Sequence, residues 1–346
     1  MITILAEKPS VAREIARIVG AMKKEEGYFT GNGYHVTWAL GHLVQLAMPD
    51  GYGIKGFRRD SLPVIPERFE LVPRQEKTDK GYKADAAAVK QIKVITKLWN
   101  ESDSIIVATD CAREGELIFR YLYAYTGCTL PFQRLWISSL TDAAIRKGLK
   151  ELKDGHEYDS LYHAAKARSE ADWLVGINAT RLFSVLYHRT LNIGRVMSPT
   201  LALIVQREAE ISAFKPVPFY TPVLDCGGFS AAGEKCAEKA AAQAVADACK
   251  GQPALVQTVE QKEKSEKPPA LYDLTTLQRD ANRQLGYTAQ QTLDYLQALY
   301  EKKLCTYPRT DSRYLTADME GTVPALAAAA AKICGVAVPD TVLAAQ

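Results

Sequence analysis

Through the first 150 residues, short apolar runs alternate with amphipathic stretches, as in layered α/β structures. Ile2–Ala6 is apolar or β-branched throughout and too short for a helix, which predicts a buried strand. Glu7-Lys8-Pro9-Ser10 breaks that run, with Ser10 placed to cap a helix over 11–19. Residues 34–40 alternate as a strand does and run into Gly41-His42. A lysine-rich stretch from Arg74 leads to a predicted helix over 84–98. Residues 104–110 then predict a second buried strand, a tight loop, and a helix to about Tyr125. A short strand is expected over 135–138, and Thr141 is expected to cap a helix running to Leu152.

The pattern then turns helical over 159–187, with Arg168, Asp172 and Trp173 set among apolar positions. The segment 192–200 carries a glycine hinge at Gly194 and leads into a predicted helix over 201–211. Ser198 and Thr200 stand at that helix start, where backbone N–H groups suit a phosphate as well as plain capping, and Arg195 could add a charged contact. Prolines mark a linker over 214–218. A small α/β module is expected after it, with strands over 220–224 and 254–262 around a helix over 234–248. A polar, proline-ended connector precedes helices over 275–285 and 289–303. The second of these delivers the chain to Tyr307-Pro308-Arg309, and an alanine-rich helix follows over 319–333.

With 346 residues the chain has room for two or three domains. Its net charge of +3 does not by itself argue for a nucleic-acid partner, so any basic surface must come from local clustering. The seven cysteines contain no Cys-x-x-Cys pair, which favours reduced thiols in a cytoplasmic protein over a disulfide framework or zinc site. The first residues reach Glu7 with no basic region ahead of an apolar one, unlike a signal peptide. No apolar run approaches the ~20 residues needed to cross a bilayer.

Three windows carry candidate chemistry. A phenol is a weak nucleophile because its ordinary pKa is about 10. A cation such as Arg309 would stabilise the phenolate of Tyr307 and clamp an anionic substrate, although the same residues also suit an ordinary turn after a helix. Asp110, Glu114 and Glu116 gather acid at a strand end beside Arg113. Such carboxylates repel one another unless a hard cation such as magnesium joins them, the alternative being an acidic surface loop. Glu7 and Lys8 follow the first strand, where open α/β sheets place their ligands, although a solvated turn would use the same residues.

Seven windows in order resemble the type IA DNA topoisomerases, and within them the bacterial topoisomerase III branch. They are Leu5-Ala-Glu7-Lys8-Pro-Ser10, Gly41-His42-Leu43, Ala108-Thr-Asp110-x-x-Arg113-Glu114-Gly115-Glu116, Ala171-Asp-Trp-Leu-Val-Gly176, Gly194-Arg195-Val196-x-Ser198-Pro199, Leu277-Gln-x-x-Ala281-Asn282 and Thr306-Tyr307-Pro308-Arg309-Thr310-Asp311-Ser312. The resemblance implies a multidomain chain, α/β and then mainly α. A Toprim domain, a parallel sheet with helices on both faces, would occupy 1–152. A first helical DNA-binding segment would cover 153–214, part of an arch module 215–268, and part of the active-site tyrosine domain 269–346. Together they would surround a hole that passes a DNA strand.

By the same resemblance Tyr307 attacks a backbone phosphate of single-stranded DNA, giving a 5′-phosphotyrosyl link and a free 3′-hydroxyl without ATP. Arg309 holds the phosphate, Lys8 stabilises its developing charge, and Glu7 serves the 3′-oxygen as acid and then base. Glu7 and Asp110, with Glu114 as a third candidate, hold magnesium. Arg168, Gly176 and the run Gly194, Arg195, Val196, Met197, Ser198 and Pro199 line the strand's path. The implied partner is single-stranded or negatively supercoiled DNA, with a helicase as a further candidate that no residue selects. The location implied is cytoplasmic, at the nucleoid.

Two departures weigh on this. The family's Asp-x-Asp-x-Glu reads Asp110-Cys-Ala112-Arg-Glu114 here, and an alanine cannot bind a cation. Members of the family are also longer, so the alanine-rich end is expected to be a truncation, with a further active-site histidine falling after Gln346. The competing expectations are a single-stranded DNA-binding fragment that completes no reaction, and a Toprim nuclease or primase, for which the Tyr307 window would be idle.

Overall fold

The computed structural model describes residues 1–78, 81–266, 269–308, 313–315 and 317–337. Two compact units emerge: Met1–Gly194 with Pro269–Gln346, and Arg195–Pro268. The expected segments 1–152 and 269–346 thus share the first unit, while 153–214 divides at Gly194 and 215–268 falls in the second. Among the described residues no helix is long and apolar enough to cross a membrane.

The first unit is built on a seven-stranded sheet. Its members are β1 (Ile2–Ala6), β2 (Lys23–Glu25), β3 (Tyr28–Gly31), β4 (Tyr34–Trp38), β9 (Ser104–Ala108), β10 (Phe132–Arg134) and β11 (Lys153–Asp154). Between β4 and β9 lie two hairpins, β5 (Val44–Leu46) with β6 (Leu71–Pro73) and β7 (Gln75–Thr78) with β8 (Gly81–Ala84). The sheet order is β11-β10-β9-β1-β4-β3-β2. The four central strands run parallel, whereas β11 and the β2–β3–β4 ribbon add antiparallel edges.

Because side chains alternate along a strand, β1 and β9 feed two cores. Leu5, Ile105 and Val107 face one side, against α2 (Ala86–Asn100), α3 (Arg113–Thr126) and α5 (Asp159–Leu186). Ile4, Ala6, Ile106 and Ala108 face the other, against α1 (Pro9–Val19) and α4 (Asp142–Lys150). Helix α1 buries Val11, Ala12, Ile15 and Ala16, one stripe at helical spacing. Fully burying each large side chain stabilises the layers by about 1.5–3 kcal/mol.

Several expected boundaries move. Pro9, not Ser10, opens α1, and its N-cap Lys8 makes no side-chain cap bond, because proline is well suited to the first helical position. Strand β10 is 132–134 rather than 135–138, for its parallel pairing to β9 ends at Arg134 opposite Val107. Strand β9 stops at Ala108, freeing the backbone of Thr109 and Asp110 for other bonds. Thr141 caps α4 as expected, accepting from the Ala144 N–H at 3.3 Å.

Two further helices complete the first unit's approach to Tyr307: α8 (Leu274–Leu285), capped by Asp273, and α9 (Ala289–Glu301), opened by a capping box of Thr288 and Gln291. Tyr300 of α9 is buried in the same core as Ile4, Ala6, Ile106 and Ala108.

The second unit contains α6 (Met197–Ala213), the hairpin β12 (Val223–Asp225) with β13 (Ser230–Ala232), and α7 (Lys239–Cys249). The strand expected over 254–262 does not form. Leu255, Val256 and Val259 are exposed there, and among the described residues no neighbouring strand pairs with them.

Candidate active site

The parallel register sets Ala6 opposite both Trp38 and Ala108, so three strands end side by side. Their continuations carry Glu7, His42 and Asp110. The Glu7 carboxylate accepts from the Asp110 N–H at 3.3 Å, which joins two sequence-predicted site residues 103 positions apart. Lys8 lies beside them, its ammonium 3.9 Å from the Glu301 carboxylate at the end of α9.

The turn after β9 is fixed by contacts the sequence did not announce. Arg134 is fully buried, and its guanidinium donates to the Val107, Thr109 and Asp110 carbonyls at 3.0, 2.7 and 2.8 Å. It also donates to the buried Glu116 carboxylate at 3.1 Å, and Glu116 accepts from Arg120 at 2.8 Å on its other oxygen. Thus Glu116 of the predicted acidic cluster is a buried structural anchor, while Asp110 and Glu114 stay nearer solvent. Burial pushes the Arg134 guanidinium down from its ordinary pKa and Glu116 pulls it back. Gly115 adds a steric demand, since a Cβ there would lie 2.1 Å from the Asp110 carbonyl oxygen. Its own carbonyl accepts from the Thr109 hydroxyl at 2.7 Å.

Glu114, the third candidate metal ligand, turns toward His42, with 3.4 Å between its carboxylate and the ring Nε2. His42 stands in a bend where Leu40 and Gly41 both have positive φ, and Arg74 donates to the Leu40 and His42 carbonyls at 3.2 Å. Among the described residues no group of three His, Cys, Asp or Glu side chains is arranged to hold a metal ion. Glu7 and Asp110, joined here through the Asp110 backbone N–H, each carry a carboxylate, the kind of oxygen donor a hard divalent cation takes along with several waters.

Tyr307 comes to this same strand end. A small pocket is lined by Thr109, Asp110, Cys111, Tyr300 and Tyr307, and the Tyr307 N–H donates to the Ser138 carbonyl at 3.4 Å. The Tyr300 and Tyr307 rings meet edge to face, 5.5 Å between centroids. Burial, with Asp110, Cys111 and Glu7 near, pushes the Tyr300 phenol far above its ordinary pKa, so it stays protonated. The Cys111 thiol is likewise pushed up to about 11 by burial, and it donates to the Ile137 carbonyl at 2.9 Å. Arg309 lies outside the described residues.

The residues expected along a DNA path are distributed. Arg168 pairs with Asp172 at 3.9 Å on α5. Gly176 lines a cleft with Asp172, Trp173 and Arg181 from α5, with Phe57 from the loop after β5, and with Lys77 and Tyr82 from the β7–β8 hairpin. Trp173 donates to the Ala47 carbonyl at 2.9 Å, and Arg181 donates to Gly56 while lying over the Phe57 ring. Gly194 closes the first unit. In the second, Arg195 and Val196 precede α6, which starts at Met197, four residues earlier than expected; Ser198 and Pro199 therefore lie within its first turn.

The chain is similar to known proteins over nearly its whole length. Residues 3–140 match the Toprim domain model and residues 156–342 match a DNA topoisomerase model. DNA topoisomerase 3 of Bacillus subtilis strain 168 is 44% identical over 330 residues, covering 92% of this chain and 44% of that protein. DNA topoisomerase 3 of Bacillus cereus strain ATCC 14579 is 45% identical, covering 96% of this chain and 45% of its own. The chain therefore spans under half the length of these relatives. Full-length topoisomerase I from Thermotoga maritima shares the fold, with a TM-score of 0.64 at 24% identity over 94% of this chain and 52% of that one. A Toprim sheet followed by the topoisomerase region, at this similarity over nearly its whole length, means that the chain belongs to the type IA DNA topoisomerase family, in the branch like DNA topoisomerase 3.

Proposed function

We propose that this chain carries the cleavage site of a magnesium-dependent, ATP-independent topoisomerase acting on single-stranded or negatively supercoiled DNA. The observation that carries the reading is the meeting of Tyr307 with Asp110 in one pocket, where the Asp110 N–H is bonded to Glu7. In the proposed step the Tyr307 oxygen bonds to a backbone phosphorus and the phosphorus–O3′ bond breaks. The phenol gives its proton to solvent water, and Glu7, protonated at the start, gives its own to the departing 3′-oxygen and ends as the carboxylate. Religation reverses each transfer, so the phosphodiester energy is kept and no nucleotide is consumed. Lys8 balances charge on the phosphate, and Arg309 clamps it. Glu7 and Asp110 would hold magnesium, with Glu114 joining by turning away from His42; when bound, the ion neutralises phosphate charge and helps align the broken ends.

Arg168, Gly176, Gly194, Arg195, Val196, Met197, Ser198 and Pro199 are assigned to the path of the strand. The domain assignment proposed is Toprim 1–152, helical 153–214, arch 215–268 and tyrosine domain 269–346. A helicase is the candidate protein partner, and the nucleoid in the cytoplasm the proposed location.

Trapping tests this directly. The protein is incubated with magnesium and an end-labelled single-stranded oligonucleotide, denatured, and examined for label on the polypeptide. Label is expected with the wild type and none with Tyr307→Phe, while both bind the oligonucleotide alike. Adducts surviving in Tyr307→Phe would remove Tyr307 from its role. Binding without adduct in the wild type would favour a fragment that holds DNA and completes no reaction.

A further inference from the structure

Helix α9 ends in a way its sequence does not favour. The Lys303 N–H bonds to the Tyr300 carbonyl at 2.9 Å and the Leu304 N–H to the Leu299 carbonyl at 3.0 Å, the Schellman pattern. That pattern needs a left-handed residue, usually glycine, and here the position is held by Lys303 at φ +64°. A side chain that adds backbone strain persists where its contacts offset the cost.

Those contacts lie on the Toprim domain. The Lys303 ammonium is 2.7 Å from the Glu14 carboxylate on α1 and 3.1 Å from Asp142 at the start of α4. Arg17 closes the cluster, 3.2 Å from Glu14 and 2.5 Å from Asp142. Lys8 and Glu301 add a looser pair nearby at 3.9 Å. The lysine amine is raised by these two acids, and both acids are lowered by their cations.

Four residues beyond Lys303 is Tyr307, whose N–H meets Ser138, four residues before Asp142. The segments 303–307 and 138–142 therefore run antiparallel, pinned at one end by an ion-pair cluster and at the other by a backbone bond beside the nucleophile. We propose that Lys303 is a positioning residue: its ammonium, held by Glu14 and Asp142, seats the tyrosine-bearing segment against the strand ends that carry Glu7 and Asp110. The seam is a charged, partly exposed clamp, and added salt loosens it. It rests on the reading of Tyr307 as the nucleophile, yet one of its tests does not depend on that reading.

Lys303→Gly is the informative substitution, because glycine satisfies the left-handed cap while deleting the amine. Amide exchange and adduct yield would be measured on wild type, Lys303→Gly and Lys303→Arg at low and high sodium chloride. Exchange protection of α9 is expected to be unchanged or improved in Lys303→Gly. Amides 304–307 should exchange about five- to tenfold faster at low salt, and adduct yield should fall by a similar factor. Salt should bring the wild type toward Lys303→Gly, and Lys303→Arg should recover most of the difference. Equal exchange at 304–307 and equal adduct yield in wild type and Lys303→Gly would overturn the clamp. Faster exchange in Lys303→Gly with no adduct in any protein would uphold the clamp and overturn the proposed cleavage by this chain.

Discussion

Replacing Arg134 by methionine probes what holds Asp110 in place. Arg134 and Glu116 each have only 1% of the side chain exposed, and the guanidinium serves one carboxylate and three carbonyls. Methionine fills much of the volume and replaces none of those donors. Glu116 would keep Arg120 as a partner, so its charge is half-compensated rather than stranded. Breaking a buried pair by removing one partner costs about 3–5 kcal/mol, and the orphaned carbonyls keep the value toward the upper end. For a domain of this size that corresponds to a fall in Tm of about 6–20 °C. Urea unfolding followed by tryptophan fluorescence measures it, with Trp136 as a local reporter 5.0 Å from the guanidinium. A second variant, Arg134→Met with Glu116→Gln, should recover part of the loss because the charge is gone. A loss under about 1 kcal/mol, or a double variant as unstable as the two single losses added together, would show that Arg134 and Glu116 do not hold the turn as a pair.

Further outcomes follow from the same geometry. Gly115→Ala should destabilise the fold by several kcal/mol and cut adduct yield, since its Cβ would meet the Asp110 carbonyl at 2.1 Å; unchanged melting and adduct formation would contradict this. Asp142 is held down to about 2 by Arg17 first and Lys303 second. Its lowered pKa means that its ion pairs stabilise the seam fully above the ordinary aspartate value of about 3.9 and weaken as pH falls toward 2. A carboxyl NMR titration should find that low value and see it rise in Arg17→Met; an ordinary value in the wild type would refute the pairing. Cys111, half-buried and pushed up to about 11, should react more slowly with a thiol reagent at pH 8 than exposed Cys226, Cys249 and Cys334, which timed labelling and mass spectrometry can resolve.

How much was legible depended on whether a residue's role is local. Ile2–Ala6 and residues 104–108 announce themselves as strands because burial on both faces of a parallel sheet requires unbroken apolar runs. Glu7 and Asp110 were readable as site residues because a polar break after such a run marks the strand's carboxyl end. The run 254–262 looks the same locally but forms no strand, since pairing is supplied by a neighbour and not by the segment. Arg134 gave no signal. An arginine between ordinary residues is usually solvated, and only the packing of α3 against β9 and β10 encloses it with Glu116.

Lys303 shows the limit most clearly. By sequence alone α9 was expected to run through it, whereas a left-handed cap occupies that place in the fold. The layered α/β start, the acids at its strand ends and the tyrosine beyond α9 are each written in a stretch of a few residues. Tertiary structure alone decided which acids are buried anchors and which face the site, and how Tyr307 reaches Asp110 across nearly 200 residues. Those outcomes depend on desolvation and charge pairing between segments remote in the chain, and no window of sequence contains both partners.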